Sequence, residues 1–460
     1  MDRSPQHLTA ADASALGRTA RHAAPRSAPA DWRPAADRPD PVDVLDAQDE
    51  ARVPGLVPVR HARMAVSAFT FYRGAAALMA GDLASLPTSG LDVQLCGDAH
   101  LNNLGVFASP SRDLVFDLND FDETLRGPWE WDLLRLATSF TIAADDRGLS
   151  SGKTAGVTAQ VVAAYRDAMA EWANRSPLDV WYARVDVAEV REALAGSKRS
   201  LRNLDEGAAA ARRRTSLQAA RKLTETVDGR RRFRSDPPLL VPLRDAEDID
   251  VDRLGTAVRD TFAEYLGSLP ESQRSLLDRY RVADVAHKVV GVGSVGLRAL
   301  IVLLEPATGD PMVLQFKEAT ASVLEAHLPP SPYAHHGQRV VEGQRLAQAA
   351  SDPFLGWSTS ALDGRHYYWR QLRDMKGSTE VATLSAKAIA YYAVMCGRTL
   401  ARAHARTGSP AAIAAYLGGS DRFERSVVAF ARRYAVLNAD DHARHDAAIA
   451  EGTLPCAEEI

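Results

Sequence analysis

The stretch from Leu95 to Asp132, LCGDAHLNNLGVFASPSRDLVFDLNDFDETLRGPWEWD, constrains this chain most. The largely apolar run Val93-Gln94-Leu95-Cys96 leads into Gly97-Asp98-Ala99-His100, and Asn103 comes five residues after Asp98. Leu114-Val115-Phe116 then rises into Asp117, Asn119, Asp120, Asp122 and Glu123. A loop with an acid and an amide, followed by an apolar strand that ends in acids, is the inventory phosphoryl transfer needs. One carboxylate orients or deprotonates the attacking group; an amide and a second carboxylate hold Mg²⁺. The same residue types also suit ordinary turns at loop ends.

A chain of 460 residues can build two or three lobes with sizeable cores. Its hydrophobic content of 46% and charged content of 25% are those of a globular protein. A net charge of −4 gives no electrostatic case for nucleic acid or an anionic membrane, so neither is expected as a partner. Cys96, Cys396 and Cys456 are too few and too scattered for a disulfide framework or a zinc site. No run approaches the ~20 apolar residues of a membrane helix, and the start has no signal-peptide core. A cytoplasmic location is expected.

The Leu95–Asp132 pattern resembles the catalytic and metal-binding segments of kinase-like phosphotransferases of the aminoglycoside and choline kinase type. In those proteins a glycine-aspartate loop, with an asparagine five residues on, precedes a strand ending in the metal-binding aspartate. A second aspartate about a dozen residues later opens a helix, and Asp120 to Asp132 has that spacing here. Cys96 stands where those kinases usually carry histidine. The wider stretch from about Asp40 to Gly452, including SAFTFYRGAAALMAGDLA, resembles a bacterial family, domain of unknown function 2252, which supplies no activity.

In chain order, residues 1–45 are rich in Ala, Pro, Arg and Asp without periodicity and read as a disordered tail. Residues 46–177 form the catalytic part of a helical lobe. Met64–Leu86 reads as a helix or two, broken by Gly81; its Arg73 is either a phosphate contact or an ordinary surface or ion-pair arginine. Helices follow over Trp131–Ala144 and Ser150–Ala173. Residues 178–280 read as a mainly helical insert that shapes an acceptor pocket; its basic runs (Lys198 to Arg214, Arg230 to Arg232) suit a solvated face or an anion-docking site. Residues 281–375 form a β-rich lobe, and 376–460 are C-terminal helices completing the helical lobe.

Within the β-rich part, Val289 to Gly296 carries Gly291, Gly293, Ser294 and Gly296 between two strand-like runs, and a third run ends at Lys317. A dinucleotide fold would start a helix at the last glycine, whereas the next eight residues read as a strand. A glycine hairpin with a lysine on the third strand is the kinase arrangement. Glu342, in the helix His335–Ala350, is the first candidate carboxylate to position Lys317, ahead of Glu325 and Glu318; it also suits a solvated helix charge. A hairpin over Gly356–Ala361 and Tyr367–Leu372 leads to a hinge at Arg370-Gln371-Leu372. The helix Leu384–Arg406 looks like the one that ordinarily precedes the catalytic loop.

The parts of a kinase are therefore present with the last two first, and the fold expected is α+β: a protein-kinase-like two-lobe fold, circularly permuted. Its helical lobe is large and its antiparallel β lobe small. Permutation is cheap where chain ends lie close at the surface. The resemblance implies that ATP and Mg²⁺ bind between the lobes, with an unidentified acceptor. Gly291, Gly293, Ser294, Gly296, Lys317 and Gln371 hold the nucleotide, and Asn103 and Asp120 hold the metal. Asp117 or Asp122 replaces Asp120 if the strand register shifts. Asp98 takes the acceptor proton, while His100 either contacts the acceptor or is structural. Nucleotidyl transfer, a nucleotide-binding pseudokinase and a metal-dependent phosphoesterase are the competing readings; oligomeric state is left open.

Overall fold

The computed structural model describes residues 8–186, 198–245, 251–289, 291–293, 295–372, 375–378 and 384–458. The α+β expectation holds: helices around one large core meet a six-stranded antiparallel sheet at the acid-rich stretch.

The N-terminal residues correct the expectation of a disordered tail. Helix α1 (Ala10–Ala23) is capped by Thr9 and α2 (Pro41–Asp49) by Asp40, each side chain accepting a backbone N–H. Ala13, Ala20 and Ala24 are buried, and a Cβ on Gly17 would lie 1.9 Å from the Ala412 carbonyl oxygen. Small residues pack by backbone approach and leave little apolar periodicity to read. Arg21 and Arg26 donate to the carbonyls of Ala415, Tyr416 and Leu417, satisfying orphan acceptors at the end of a later helix.

Helices α3 (Val57–Met64), α4 (Ala68–Gly74) and α5 (Ala76–Ala84) follow, with Gly81 inside α5 rather than breaking it. Strands β1 (Asp92–Leu95), β2 (Leu104–Ala108), β3 (Leu114–Leu118) and β4 (Leu125–Pro128) frame the acid-rich stretch; β1 pairs with β4 and β2 with β3. Helix α6 (Trp129–Asp146) is buried from Trp129 through Ala144 and packs on α7 (Ser151–Trp172). Such all-round apolar character marks a central helix.

The segment expected to be a mainly helical insert does carry helices, and it also wraps the sheet. Helix α8 (Ser216–Leu223), strand β5 (Leu240–Pro242) and helix α9 (Val251–Gly267) precede β6 (Tyr280–Lys288), β7 (Ala299–Pro306) and β8 (Met312–Glu318). Helix α10 (His336–Ala347), β9 (Gly356–Thr359) and β10 (His366–Gln371) complete it, in the strand order β9-β10-β8-β7-β6-β5. Side chains alternate across β8. Leu314 and Phe316 pack with Trp369 and with Tyr265 of α9, while Val313 packs with Ile301, Leu303 and the alanines of α8. The expected insert therefore supplies a cover for each face and one edge strand.

Strand β11 (Gly377–Ser378) then pairs with β2, and α11 (Ala386–Ala405), α12 (Pro410–Leu417) and α13 (Arg422–Ala450) close the helical core. Just past α11, Thr407 Oγ1 accepts the backbone N–H of Gln94 at 3.0 Å. The end of the long helix thus adjoins the strand that leads to Asp98. Among the described residues, no helix is long and apolar enough to cross a membrane.

Candidate active site

Gly97 fixes where Asp98 can go. Its φ is +86°, and a Cβ there would lie 2.1 Å from the Glu123 carbonyl oxygen, so only glycine fits. Asp132, in the first turn of α6, accepts the N–H groups of Cys96 (2.8 Å) and Gly97 (3.1 Å), and His404 Nε2 lies 3.2 Å from it. The Asp98 carboxylate receives Arg135 Nε at 2.5 Å. Burial pushes the Asp98 carboxyl up, and Arg135 opposes that. Asn103 Nδ2 donates to the Asp98 carbonyl at 2.8 Å, which leaves its side-chain oxygen as the acceptor atom. His100 is buried, and burial with the Arg73 charge keeps it neutral.

The three aspartates of the next strand end part company. Asp117, the alternative metal ligand, turns into the core: Arg402 holds it at 2.5 Å and the Ala349 N–H at 2.9 Å, so it is a structural acid. Asp122 forms an ion pair with Lys317 and accepts Tyr368 Oη at 2.8 Å. Burial works against its charge, but Lys317 and Tyr368 hold its carboxyl below the usual range. Burial likewise disfavours the Lys317 ammonium, yet Asp122 raises it above the ordinary lysine value. Asp120 has no ion-pair partner among the described residues; burial and the Asp122 charge push it up.

Two expected contacts are corrected. Glu342 does not position Lys317; it pairs with Arg345 at 2.9 Å, one turn along α10, on a partly exposed face. The same helix reaches the acid loop through Arg339, which donates to the carbonyls of Asp122 (2.7 Å) and Thr124 (2.6 Å). Gln371 has its N–H taken by Asp352 at 2.6 Å and its side-chain amide 3.8 Å from the Met312 sulfur. A hinge donor for a base edge is not free there.

The glycine loop lies, as expected, between two antiparallel strands, β6 and β7. Ser294 lies outside the described residues. A cavity of about 250 Å³ brings Gly291 and Gly293 against Asp98, Asn103, Asp120 and Asp122, with Arg52, Arg73 and Glu123 on its wall. Gly296 sits beside it, at φ +94°, against the Arg52 side chain. Sequence reasoning missed Arg135 and Tyr368. Arg135 lies one turn after Asp132, and its pairing with Asp98 had no local signature. Lys376 was also missed: burial and Arg370 push its ammonium down to about 7, and the charges of Asp120 and Asp122 act on it.

The model of a family described as uncharacterized protein conserved in bacteria (DUF2252) matches residues 52–448. The chain belongs to this family. Every cavity residue named above falls inside the DUF2252 match. Neither the curated proteins nor the solved structures contain a match to the chain.

Proposed function

We propose that this DUF2252 protein is an ATP- and Mg²⁺-dependent phosphotransferase with a circularly permuted, kinase-like two-lobe fold. The observation that carries the reading is the cavity joining Asp98, Asn103, Asp120 and Asp122 to Gly291 and Gly293. Two motifs far apart in sequence, each read as part of a phosphate site, line one space. The contact of Gln94 with Thr407 supports the permuted order, because it sets the long helix beside the catalytic loop as if the chain had been cut there.

Among the described residues, no three His, Cys, Asp or Glu side chains form a metal cluster. Mg²⁺ bound with substrate phosphates needs only one or two carboxylates, where it neutralises phosphate charge. Asp120, without an ion pair, and the Asn103 oxygen fit that task. Asp122 takes the part first given to Glu342 and positions Lys317 toward the phosphates. Asp98, oriented by Arg135 and raised by burial, accepts the proton of the acceptor hydroxyl. The phosphorus–oxygen bond to the nucleoside diphosphate breaks as the bond to the acceptor oxygen forms. Positioning and fixed charge supply most of the rate. At about 250 Å³ the cavity suits the phosphate end of a nucleotide, since whole-ligand sites usually span roughly 300–1,000 Å³.

Thermal unfolding with and without Mg·ATP tests the reading, beside Lys317→Ala and Asp120→Ala. Ligand at ~100 times its Kd stabilises the native state by about 2.7 kcal/mol. A midpoint rise in the parent that both variants lose, with ADP formed on turnover, is expected. A folded parent that does not respond would sink the proposal; pyrophosphate in place of ADP would turn it to nucleotidyl transfer.

A further inference from the structure

Arg73, at the end of α4, reaches the same cavity from the N-terminal side. Its Nε is buried with no hydrogen-bond partner among the described residues. Three neighbouring cations are held by partners: Arg135 by Asp98, Lys317 by Asp122, and Arg52 by the Val295 carbonyl. A buried guanidinium N–H that lacks an acceptor is costly, and such a group calls for an anion. Burial pulls the Arg73 guanidinium down from its ordinary value, and the charges of Asp98 and Asp120 oppose that.

The backbone shows why this arginine is well placed. A Cβ on Gly293 would lie 2.9 Å from the Arg73 carbonyl oxygen, so the loop packs directly on this residue. Nearby, Arg63 donates to the Gly291 carbonyl at 2.6 Å and the Val53 N–H to the Gly296 carbonyl at 2.9 Å. The N-terminal segment therefore pins the glycine loop at several points. Arg73 stands where that loop and the Asp98–Asp120 wall come together, which is where a transferred phosphate must pass.

We propose that Arg73 binds the terminal phosphate of the nucleotide. Its planar fork of N–H donors can span two phosphate oxygens, which a lysine point charge cannot. This assignment rests on the phosphotransferase reading, and the test separates the two.

Affinities for Mg·ATP and Mg·ADP are measured by calorimetric titration of the parent, Arg73→Met, Arg73→Lys and Asp120→Ala. The expected result is that Arg73→Met weakens Mg·ATP tenfold or more, leaves Mg·ADP within about twofold, and is partly restored by Arg73→Lys. Should Arg73→Met not fold, Arg73→Gln takes its place in the same comparison. Retention of the parent's ATP affinity, or equal loss of ATP and ADP, overturns the assignment. If ATP binding is then still lost in Asp120→Ala, the phosphotransferase reading stands without it. A parent that binds neither nucleotide overturns both.

Discussion

Arg402 and Asp117 form an ion pair of 2.5 Å with each side chain 2% exposed. Together with the Ala349 N–H on the second carboxylate oxygen, the pair ties α11, β3 and the end of α10 into one core. Removing one partner of a buried pair leaves an uncompensated charge and costs about 3–5 kcal/mol. Asp117→Ala is therefore expected to destabilise by about that much. Asp120→Ala, on the cavity wall, should change stability by less than about 1 kcal/mol. Urea unfolding of the two variants compares them directly. Equal effects would show that the split between structural and site acids is misdrawn.

Lys317 gives a second test, because Asp122 holds it where Glu342 was expected. Asp122→Asn leaves a buried ammonium without its counter-charge, and a loss of roughly 3 kcal/mol is expected. Glu342→Gln breaks only a partly exposed pair with Arg345, with each side chain about one-third exposed, and should cost less than about 1 kcal/mol. The midpoint shift with Mg·ATP should persist in Glu342→Gln and vanish in Asp122→Asn. The reverse pattern would restore Glu342 to the site.

Gly97 and Gly90 separate backbone strain from collision. Both have positive φ, +86° and +71°, but a Cβ on Gly90 meets nothing within 4 Å whereas one on Gly97 meets the Glu123 backbone. Gly90→Ala should cost about 1 kcal/mol for the left-handed conformation alone. Gly97→Ala should cost more than about 2 kcal/mol, because strand ends must also shift. It should also lose nucleotide binding, since Asp98 moves with the turn. Thermal unfolding followed by circular dichroism reads the stability difference; similar losses would mean that the turn relaxes freely.

What was legible in the chain was what repeats or spaces itself locally. The β-rich runs Leu297–Leu304 and Met312–Lys317, set off by turn signals, gave two sheet strands, and the stripe Ile389, Tyr392, Cys396, Leu400 gave the long helix. The five-residue step from Asp98 to Asn103 placed both on one cavity. Illegible were the pairings that cross the fold. Nothing near Lys317 says that its partner is Asp122, and nothing near Asp117 points to Arg402, 285 residues on. Glu342 looked suitable because it lies on the right helix, but the face toward the acids carries Arg339. The N-terminal helix was missed for a different reason: alanine and glycine dock by proximity, which leaves no large apolar stripe.

Glu130, beside this framework in the first turn of α6, should make stability fall as pH rises. One carboxylate oxygen accepts the Ser89 N–H at 2.8 Å, and the other is buried with no partner among the described residues. Burial, only partly offset by the Ser89 bonds, pushes the carboxyl from 4.5 up to about 7. A carboxyl raised in the folded state binds a proton there that the unfolded chain has released. Its stabilising contribution is thus complete below about pH 4.5 and is lost as pH rises through about 7. The span corresponds to about 3 kcal/mol, and the positive end of α6 favours the charged form by about 0.3–1 kcal/mol, which leaves about 2 to 3. Glu130→Gln can keep an acceptor for Ser89 and cannot titrate. Urea unfolding at pH 4.5, 6 and 8 should show parent and variant converging at the acid end, with the variant more stable by about 2 kcal/mol at pH 8. A difference that stays constant across the series would mean that Glu130 is ionised throughout and that its second oxygen finds a partner.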